Sequence, residues 1–232
     1  MAMISAENRG LRLATRYAVL GLIAIIFFFS LVFMLMSSLK PDQQLLQDSG
    51  NLRAFLPVGD ISLQNYTDAF KRAPVATFVF NSVLVTGITV SLSLLVCSAA
   101  GFAFVFVNWK GRNTLLALLL ATLILPFETI AIPLLMMVAH LPWLGMEGLT
   151  WGWLNSYHVQ IVPFIADGLT VFLFVQYFKD LPGELIEAAR VEGASWFQIY
   201  RKIVMPLSGP IFATAAILKF LVMYNQYLWP LM

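Results

Sequence analysis

Three ionisable side chains, Glu128, Asp167 and Lys219, lie inside long apolar segments of this 232-residue chain. A charge at the centre of a bilayer costs at least about 2.5–3.5 kcal/mol on insertion scales, so each should face protein, water or a partner. A structural ion pair is the alternative for all three, and Lys219 could also extend towards the membrane surface. An enzyme inside a membrane would need a nucleophile, a base or a metal set, and these three groups are too scattered to supply one.

Motifs for other chemistry are absent from the sequence. There is no G-x-x-x-x-G-K-[ST] for ATP phosphates and no H-E-x-x-H for zinc. The single cysteine, Cys97, excludes an internal disulfide and a cysteine zinc cluster. His140 and His158 lack metal-ligand spacing, and we interpret them as interface residues. We therefore predict no catalytic residue, no metal site and no cofactor.

The composition is that of a membrane protein. Hydrophobic residues make up 60% of the chain and charged residues 11%, against about 45–50% and about 25% in soluble domains. This excludes a soluble enzyme, a disordered chain and a nucleic-acid-binding domain, and the net charge of +2 is too small to favour a polyanionic partner.

Uncharged or nearly uncharged runs predict an all-α bundle of transmembrane helices. The first run resembles a signal peptide, but it is too long and lacks an A-x-A cleavage site, so we interpret it as a retained span. The predicted spans are residues 17–36, 77–107, 114–139, 159–177 and 211–229.

Alternate connecting segments are basic, which predicts their orientation. The N-terminal arm (1–16), the loop 108–113 and the segment 178–205 are placed in the cytoplasm, whereas the loop 140–158 contains no Lys or Arg. The loop 37–76, with balanced charges, is placed outside. Trp143, Trp151 and Trp153 then cluster near the outer face, as aromatic belts do.

Two spans carry features that affect packing. Gly87, Ser91 and Ser98 fall near one face of the second span, which favours close packing within the molecule, with a pore-lining face as the alternative. Pro126 and Pro133 fall near one side of the third span, and each should bend it. Such bends suit either simple packing or rearrangement around a cavity.

The most informative segment is 180–210, DLPGELIEAARVEGASWFQIYRKIVMPLSGP. Acidic residues follow Pro182-Gly183 in the first turn of a short helix, which complements the helix dipole. Gly193 ends this helix, and a second helix precedes Pro206. We predict a helical hairpin with two exposed alanines and a glutamate, which favours docking of a partner protein.

This segment resembles the "EAA" loop of ABC-importer permeases, whose pattern is E-A-A-x3-G-x9-I-x-L-P. Glu187-Ala188-Ala189, Gly193, Ile203 and Pro206 match it, and Met205 replaces the leucine. The segments Leu125–Glu128 and Asn225–Pro230 resemble the carbohydrate-importer branch typified by maltose permeases, and the latter is especially similar to glycerol-phosphate permeases. The likeness extends over nearly the whole chain. The family has a sixth span after this point, so we expect a C-terminally truncated permease with five spans.

The resemblance implies a multi-pass protein of the bacterial inner membrane, with the core at 77–232 and a cytoplasmic N-terminus. It implies a dimer of ATP-hydrolysing subunits, a second permease, an external solute-binding protein and the lipid membrane as partners, with no nucleic acid. It implies that Glu187, Ala188, Ala189, Gly193, Ile203 and Pro206 couple the spans to ATP hydrolysis in the partner. Glu128, Asn225, Gln226 and Tyr227 are candidates for the solute pathway.

Three alternatives stay open at this point. The solute could be a glycerol phosphate rather than a saccharide, and the chain could be a membrane-embedded enzyme or a non-transporting scaffold. A scaffold would explain the docking hairpin but not the similarity along the rest of the chain.

Overall fold

The computed structural model describes residues 4–145 and 148–232, and the side chains of this range other than 4–11 and 143–150. Residues 1–3 and the Arg9 side chain of the predicted N-terminal arm, and the Trp143 side chain of the predicted aromatic belt, lie outside the described residues. The chain divides into two compact units, Met1–Phe78 and Val79–Met232.

The first unit contains one long apolar helix followed by short helical segments. Their bounds are α1 (Ile4–Ser38), α2 (Asp42–Asp48), a 3-10 turn (Leu52–Phe55) and α3 (Gln64–Arg72). Helix α4 (Val75–Phe106) begins here and continues into the second unit.

Lys40 organises the segment after α1, although the sequence shows only balanced loop charges. Its side chain is 1% exposed, and its Nζ donates to Asp48 Oδ2 at 2.9 Å and to the carbonyl oxygen of Arg53 at 2.6 Å. The hydrogen bond from Lys40 lowers the pKa of Asp48. Because a buried ammonium needs such partners, this contact defines the fold of the loop.

The second unit is built from short helices and the long α4. Their bounds are α5 (Arg112–Ala121), a 3-10 turn (Thr122–Ile124), α6 (Phe127–His140), α7 (Tyr157–Ile161), a 3-10 turn (Val162–Phe164), α8 (Gly168–Lys179), α9 (Gly183–Val191), α10 (Trp196–Ile199), a π-helical turn (Tyr200–Val204), α11 (Met205–Leu207), α12 (Gly209–Tyr224) and α13 (Leu228–Leu231).

Four segments of the described chain are long and apolar enough to cross a membrane, at Arg12–Ser38, Val75–Phe106, Tyr157–Lys179 and Gly209–Leu231. A fifth is possible if Arg112–Ile124 and Phe127–His140, which meet at 108°, form one broken span. The bend follows from Pro126: the preceding Leu125 is extended (φ −81°, ψ 118°), as a residue before proline prefers. The sequence predicted a bend here but not one near a right angle.

One part of the chain departs from the all-α prediction. Residues Pro142–Gly145 and Gly148–Trp151 form two antiparallel strands, with Pro142 opposite Trp151. Pairing satisfies backbone groups that would otherwise need solvent, and a four-residue run is too short to show a strand period in the sequence. The helical fold class is otherwise confirmed.

The core of the second unit lies where α4 crosses α8. Phe174 and Phe178 of α8 and Cys97 of α4 are fully buried there. A Cβ added at Gly101 would lie 2.8 Å from the Phe174 Cβ, so only glycine permits this approach of the two helices.

The predicted small-residue face of α4 has two different environments. Ser98 is fully buried, whereas Gly87 and Ser91 are exposed and Ser91 Oγ donates only to the Gly87 carbonyl oxygen at 2.8 Å. Packing within this chain therefore accounts for Ser98 and not for the other two.

Candidate functional site

The helical hairpin (residues 180–210) turns sharply between α9 and α10 at Gly193. This residue has φ +84°, its N–H donates to Arg190 O at 3.1 Å, and the Ala194 N–H donates to Ala189 O at 2.9 Å. These two bonds form a Schellman motif, which requires a left-handed residue and hence favours glycine. The sequence prediction that Gly193 ends the helix agrees with this geometry.

Helix α10 begins with a capping box. The Gln198 N–H donates to Ser195 Oγ at 3.3 Å, and the Ser195 N–H donates to Gln198 Oε1 at 2.8 Å. The S-x-x-Q pattern could have predicted this start, because it satisfies two backbone donors at once. The chain then passes through the π-helical turn into α11, so the predicted second helix is interrupted rather than continuous.

Arg190 closes the hairpin across its turn. Its Nη1 donates to Ala194 O at 3.1 Å, and its Cζ lies 4.4 Å from the centre of the Trp196 ring, a cation–π contact. Arg190 and Trp196 are six positions apart in the sequence and lie on opposite sides of the turn, so no helical period relates them.

The outer face of the hairpin carries part of the matched motif. Glu187, Ala188 and Gly193 are exposed, together with Pro206, and Ile203 is half-buried. Ala189 is buried in the core beside Ile186 and Ile199, so the expectation of two exposed alanines is wrong for this one. Ala189 lies three positions after the buried Ile186, so the two residues share the helix face that packs against the core.

The inner face of the hairpin packs against α4 and is hydrogen-bonded to it. Tyr200 Oη and Ser98 Oγ lie 2.7 Å apart, and the Phe102 ring contacts Tyr200 with ring centres at 5.3 Å and Trp196 at 6.1 Å. Tyr177 Oη of α8 also donates to the Leu207 carbonyl oxygen at 3.0 Å. The hairpin is therefore joined to α4 by a hydrogen bond and ring contacts and to α8 by a hydrogen bond.

Two of the three ionisable groups in the apolar segments form a pair. Lys219 Nζ donates to Asp167 Oδ2 at 2.6 Å, and Asp167 also caps α8 by accepting from the Thr170 N–H at 2.9 Å and the Thr170 Oγ1 at 2.8 Å. Their side chains are 7% and 34% exposed, respectively. The structure thus gives these two residues the ion-pair role that the sequence left as an alternative.

The four solute-pathway candidates do not form one cluster of buried polar groups. Glu128 is exposed in the first turn of α6 and has no salt bridge to the described residues. Asn225 donates to Leu221 O of its own helix at 2.8 Å, Gln226 is half-buried, and Tyr227 is 73% exposed. Nearby, the Phe127 and Trp229 rings meet edge to face at 6.0 Å between centres.

Comparisons with known proteins identify relatives along most of the chain. Residues 93–232 match the family "Binding-protein-dependent transport system inner membrane component". The arabinooligosaccharides transport system permease protein AraQ of Halalkalibacterium halodurans is 36% identical over 210 residues, covering 90% of this chain and 71% of that protein. The lactose transport system permease protein LacG of Rhizobium radiobacter is 31% identical over 229 residues, covering 99% and 78%.

Two further similarities are more limited. The sn-glycerol-3-phosphate transport system permease protein UgpE of Salmonella typhi is 36% identical over 161 residues, covering 69% of this chain and 53% of that protein. A chain in the crystal structure of a bacterial ABC transporter involved in import of the acidic polysaccharide alginate shares the fold. Its TM-score is 0.79 at 20% identity, covering 97% of this chain and 74% of that one.

Proposed function

The chain belongs to the family of inner membrane components of binding-protein-dependent transport systems, and from this membership we propose that it forms part of the translocation pathway of an ATP-driven carbohydrate importer. It is a multi-pass membrane protein. The observation that carries the mechanism is the two-sided hairpin, which exposes Glu187, Ala188 and Gly193 on one face and joins α4 through Tyr200 and Ser98 on the other.

The hairpin acts as the coupling element. Glu187 makes a polar contact with the ATP-hydrolysing partner, and Ala188 allows close seating because its side chain is small. Gly193 supplies the turn, Ala189 and Ile203 hold the motif against the spans, and the exposed Pro206 contributes to the coupling surface. Closure of two ATPase subunits shifts the spans only if closure is favoured more in one membrane state than in the other.

The proposed orientation places the N-terminus, the loop 108–113 and the hairpin in the cytoplasm. The segment 37–76 and the chain around 140–158 lie outside, so residues 77–232 form the core. Two contacts support this arrangement, because each joins residues at or beside span ends that are assigned to the outer side. Tyr157 Oη donates to Asn81 Oδ1 at 2.8 Å, and Trp229 Nε1 donates to Val159 O at 3.0 Å.

The complete importer contains further proteins. A dimer of ATP-hydrolysing subunits binds the hairpin, a second permease completes the pathway, and an external binding protein delivers the solute. ATP hydrolysis takes place in the partner subunits rather than in this chain. Glu128, Asn225, Gln226 and Tyr227 contact the solute or the second permease, which would give the exposed Glu128 carboxylate a polar environment within the membrane.

A carbohydrate is the solute that the relatives favour. AraQ and LacG, named for oligosaccharide and lactose transport, are matched over 71% and 78% of their lengths. UgpE, named for sn-glycerol-3-phosphate transport, is matched over 53% of its length and makes that solute the second candidate.

The test is reconstitution with candidate ATPase, permease and binding proteins in lipid. We expect a stable complex whose ATPase rate rises with one solute-loaded binding protein, and the loaded protein identifies the solute. Glu187→Lys should release the ATPase subunits. Glu192→Lys is the matched control, because Glu192 is equally exposed but lies five residues further on, about 140° around a helix.

Three results would contradict the proposal. Assembly without stimulation by any loaded binding protein would favour a scaffold. ATP hydrolysis by this chain alone would contradict the assignment of ATP hydrolysis to the partner subunits. Equal loss of ATPase subunits in the Glu187→Lys and Glu192→Lys variants would remove the specific role of Glu187.

A further inference from the structure

A cavity of about 500 Å³ opens at the end of the second unit away from the hairpin. Its walls come from α4, α6, α7 and α13 and from the residues before α7. Ligand sites for small molecules have volumes of about 300–1,000 Å³, so a mono- or disaccharide-sized molecule fits. None of the proposed pathway residues Glu128, Asn225, Gln226 and Tyr227 lines it.

The polar side chains that line the cavity are uncharged amide and hydroxyl groups. Asn81, Asn155 and Gln160 line it, and no charged side chain is among its lining residues in the described part of the chain. Each amide offers both donors and an acceptor, which matches hydroxyl groups that also donate and accept. A phosphate ester would enter with its negative charge uncompensated, and burial of an unpaired charge is strongly unfavourable.

Two of these amides have no partner within the described protein. The side chains of Asn155 and Gln160 make none of the hydrogen bonds found among the described residues, whereas Asn81 Oδ1 accepts from Tyr157 Oη at 2.8 Å. That bond fixes the Asn81 amide and leaves its two N–H donors for a ligand. One amide of the cavity, that of Asn81, is therefore held in place, whereas the amides of Asn155 and Gln160 have no hydrogen-bond partner in the described protein.

A second part of the cavity wall is apolar. Leu135, Leu154 and Trp229 line it, and Trp229 is held by its bond to Val159 O at 3.0 Å. The Phe127 and Phe164 rings contact Trp229 edge to face, at 6.0 and 5.8 Å between centres. Such a wall suits the C–H face of a pyranose or furanose ring, while the amides bind its hydroxyl groups.

We propose that this cavity is a binding site for a neutral, polyhydroxylated ligand of the saccharide class, with Asn81, Asn155 and Gln160 as its hydrogen-bonding residues. The proposal rests on the proposed function, since it assigns part of the solute pathway to this chain. It also discriminates between the two candidate solutes, because the neutral wall favours a saccharide over a glycerol phosphate.

The test uses cysteine labelling of the full chain in lipid nanodiscs. The native Cys97 is fully buried, so wild-type protein gives the background. Ser156→Cys places a thiol in the cavity without removing a proposed hydrogen-bonding residue, Leu154→Cys provides a second reporter if the first fails to fold, and Ser82→Cys is the control. Ser82 is exposed beside Asn81 on α4 and does not line the cavity.

The probes are an arabinooligosaccharide, lactose and sn-glycerol 3-phosphate. We expect one of the saccharides to slow labelling by a water-soluble thiol reagent about fivefold at four times its dissociation constant. The same saccharide should not slow labelling of Ser82→Cys, and sn-glycerol 3-phosphate should slow neither.

Each of the other outcomes contradicts one part of the proposal or the proposed function. If no saccharide protects either reporter, while the reconstituted wild-type importer responds to a loaded binding protein, the cavity is not a saccharide site and the proposed function survives. Protection by sn-glycerol 3-phosphate would overturn the assignment to neutral ligands. Protection by a saccharide in a chain that never assembles with an ATPase would retain the site and refute the importer function.

Discussion

The two ends of the second unit differ in how their polar groups are used. At the hairpin, polar groups bond to other parts of the same chain, as Tyr200 does to Ser98 and Arg190 to Ala194. At the cavity, the side chains of Asn155 and Gln160 face open space without a partner in the described protein. The hairpin, as the proposed coupling element, needs contacts with the rest of the chain. The cavity, as a proposed solute site, needs polar groups that have no partner within the protein.

The largest effect on function is expected from a substitution that prevents the hairpin turn from forming. Gly193→Pro cannot adopt φ +84°, since proline fixes φ near −65°, and it removes the N–H that donates to Arg190 O. We expect uptake and stimulated ATPase activity to be abolished while the protein still inserts into the membrane. Transport by the reconstituted importer and membrane fractionation measure the two effects.

Gly183→Pro is the matched control for that variant. Gly183 opens α9, where proline is tolerated because the first helical N–H has no partner inside the helix. This variant should retain more activity than Gly193→Pro. Normal uptake by Gly193→Pro would show that the turn is not needed for coupling.

Breaking the Asp167–Lys219 ion pair should have the next largest effect, measured on stability. Along the chain, both residues lie between the hairpin and the residues that line the cavity. Lys219→Met leaves a partly buried carboxylate without its cation, which should cost about 1–3 kcal/mol of stability. The double variant Asp167→Asn with Lys219→Met should recover much of that loss, since it removes both charges. Melting temperatures in detergent of Lys219→Met, Asp167→Asn and the double variant measure this cycle, and additive losses would show that the two residues are not coupled.

The sequence predicted the hairpin end well, for identifiable reasons. The motif has fixed spacing, and glycine at a helix end has a local geometric cause that does not depend on the rest of the fold. The same locality explains the prediction of a bend at Pro126. The burial of Ala189 was missed because the motif gives residue types and not the direction in which each side chain points.

The cavity end was not predicted, because its residues are far apart in sequence. Asn81 and Tyr157 are 76 positions apart, and no period or local motif relates them. The sequence made Asn225 and Tyr227 candidates for the solute pathway, yet the cavity is lined by their neighbours Trp229 and Pro230. The buried Lys40 was missed for the same reason, since its acceptors are 8 and 13 residues away.

Packing at the hairpin end can be tested with two glycines of one helix. Gly101→Ala places a methyl group 2.8 Å from the Phe174 Cβ and should cost about 1–3 kcal/mol through overpacking. Gly87→Ala is its matched control, because a Cβ there meets nothing within 4 Å. It should be neutral or stabilising, since alanine favours helices. Thermal unfolding in detergent measures both, and equal losses would mean that α4 and α8 do not pack as described.

The smallest effect is expected from the hydrogen bond that joins the hairpin to α4. Tyr200→Phe removes the Oη that lies 2.7 Å from Ser98 Oγ, but it keeps the ring contact with Phe102 at 5.3 Å. Ser98 Oγ still donates to Leu95 O at 3.2 Å, so the stability loss should be only about 0.5–1.5 kcal/mol.

The informative readout for Tyr200→Phe is the ratio of solute transported to ATP hydrolysed. Because the contact links the coupling element to a span, we expect this ratio to fall more than the melting temperature does. Tyr177→Phe is the control for a tyrosine hydroxyl bonded to the hairpin backbone from α8 rather than α4. If neither variant changes the ratio, force passes through the aromatic contacts of Phe102 instead, and the hydrogen bond only orients the hairpin.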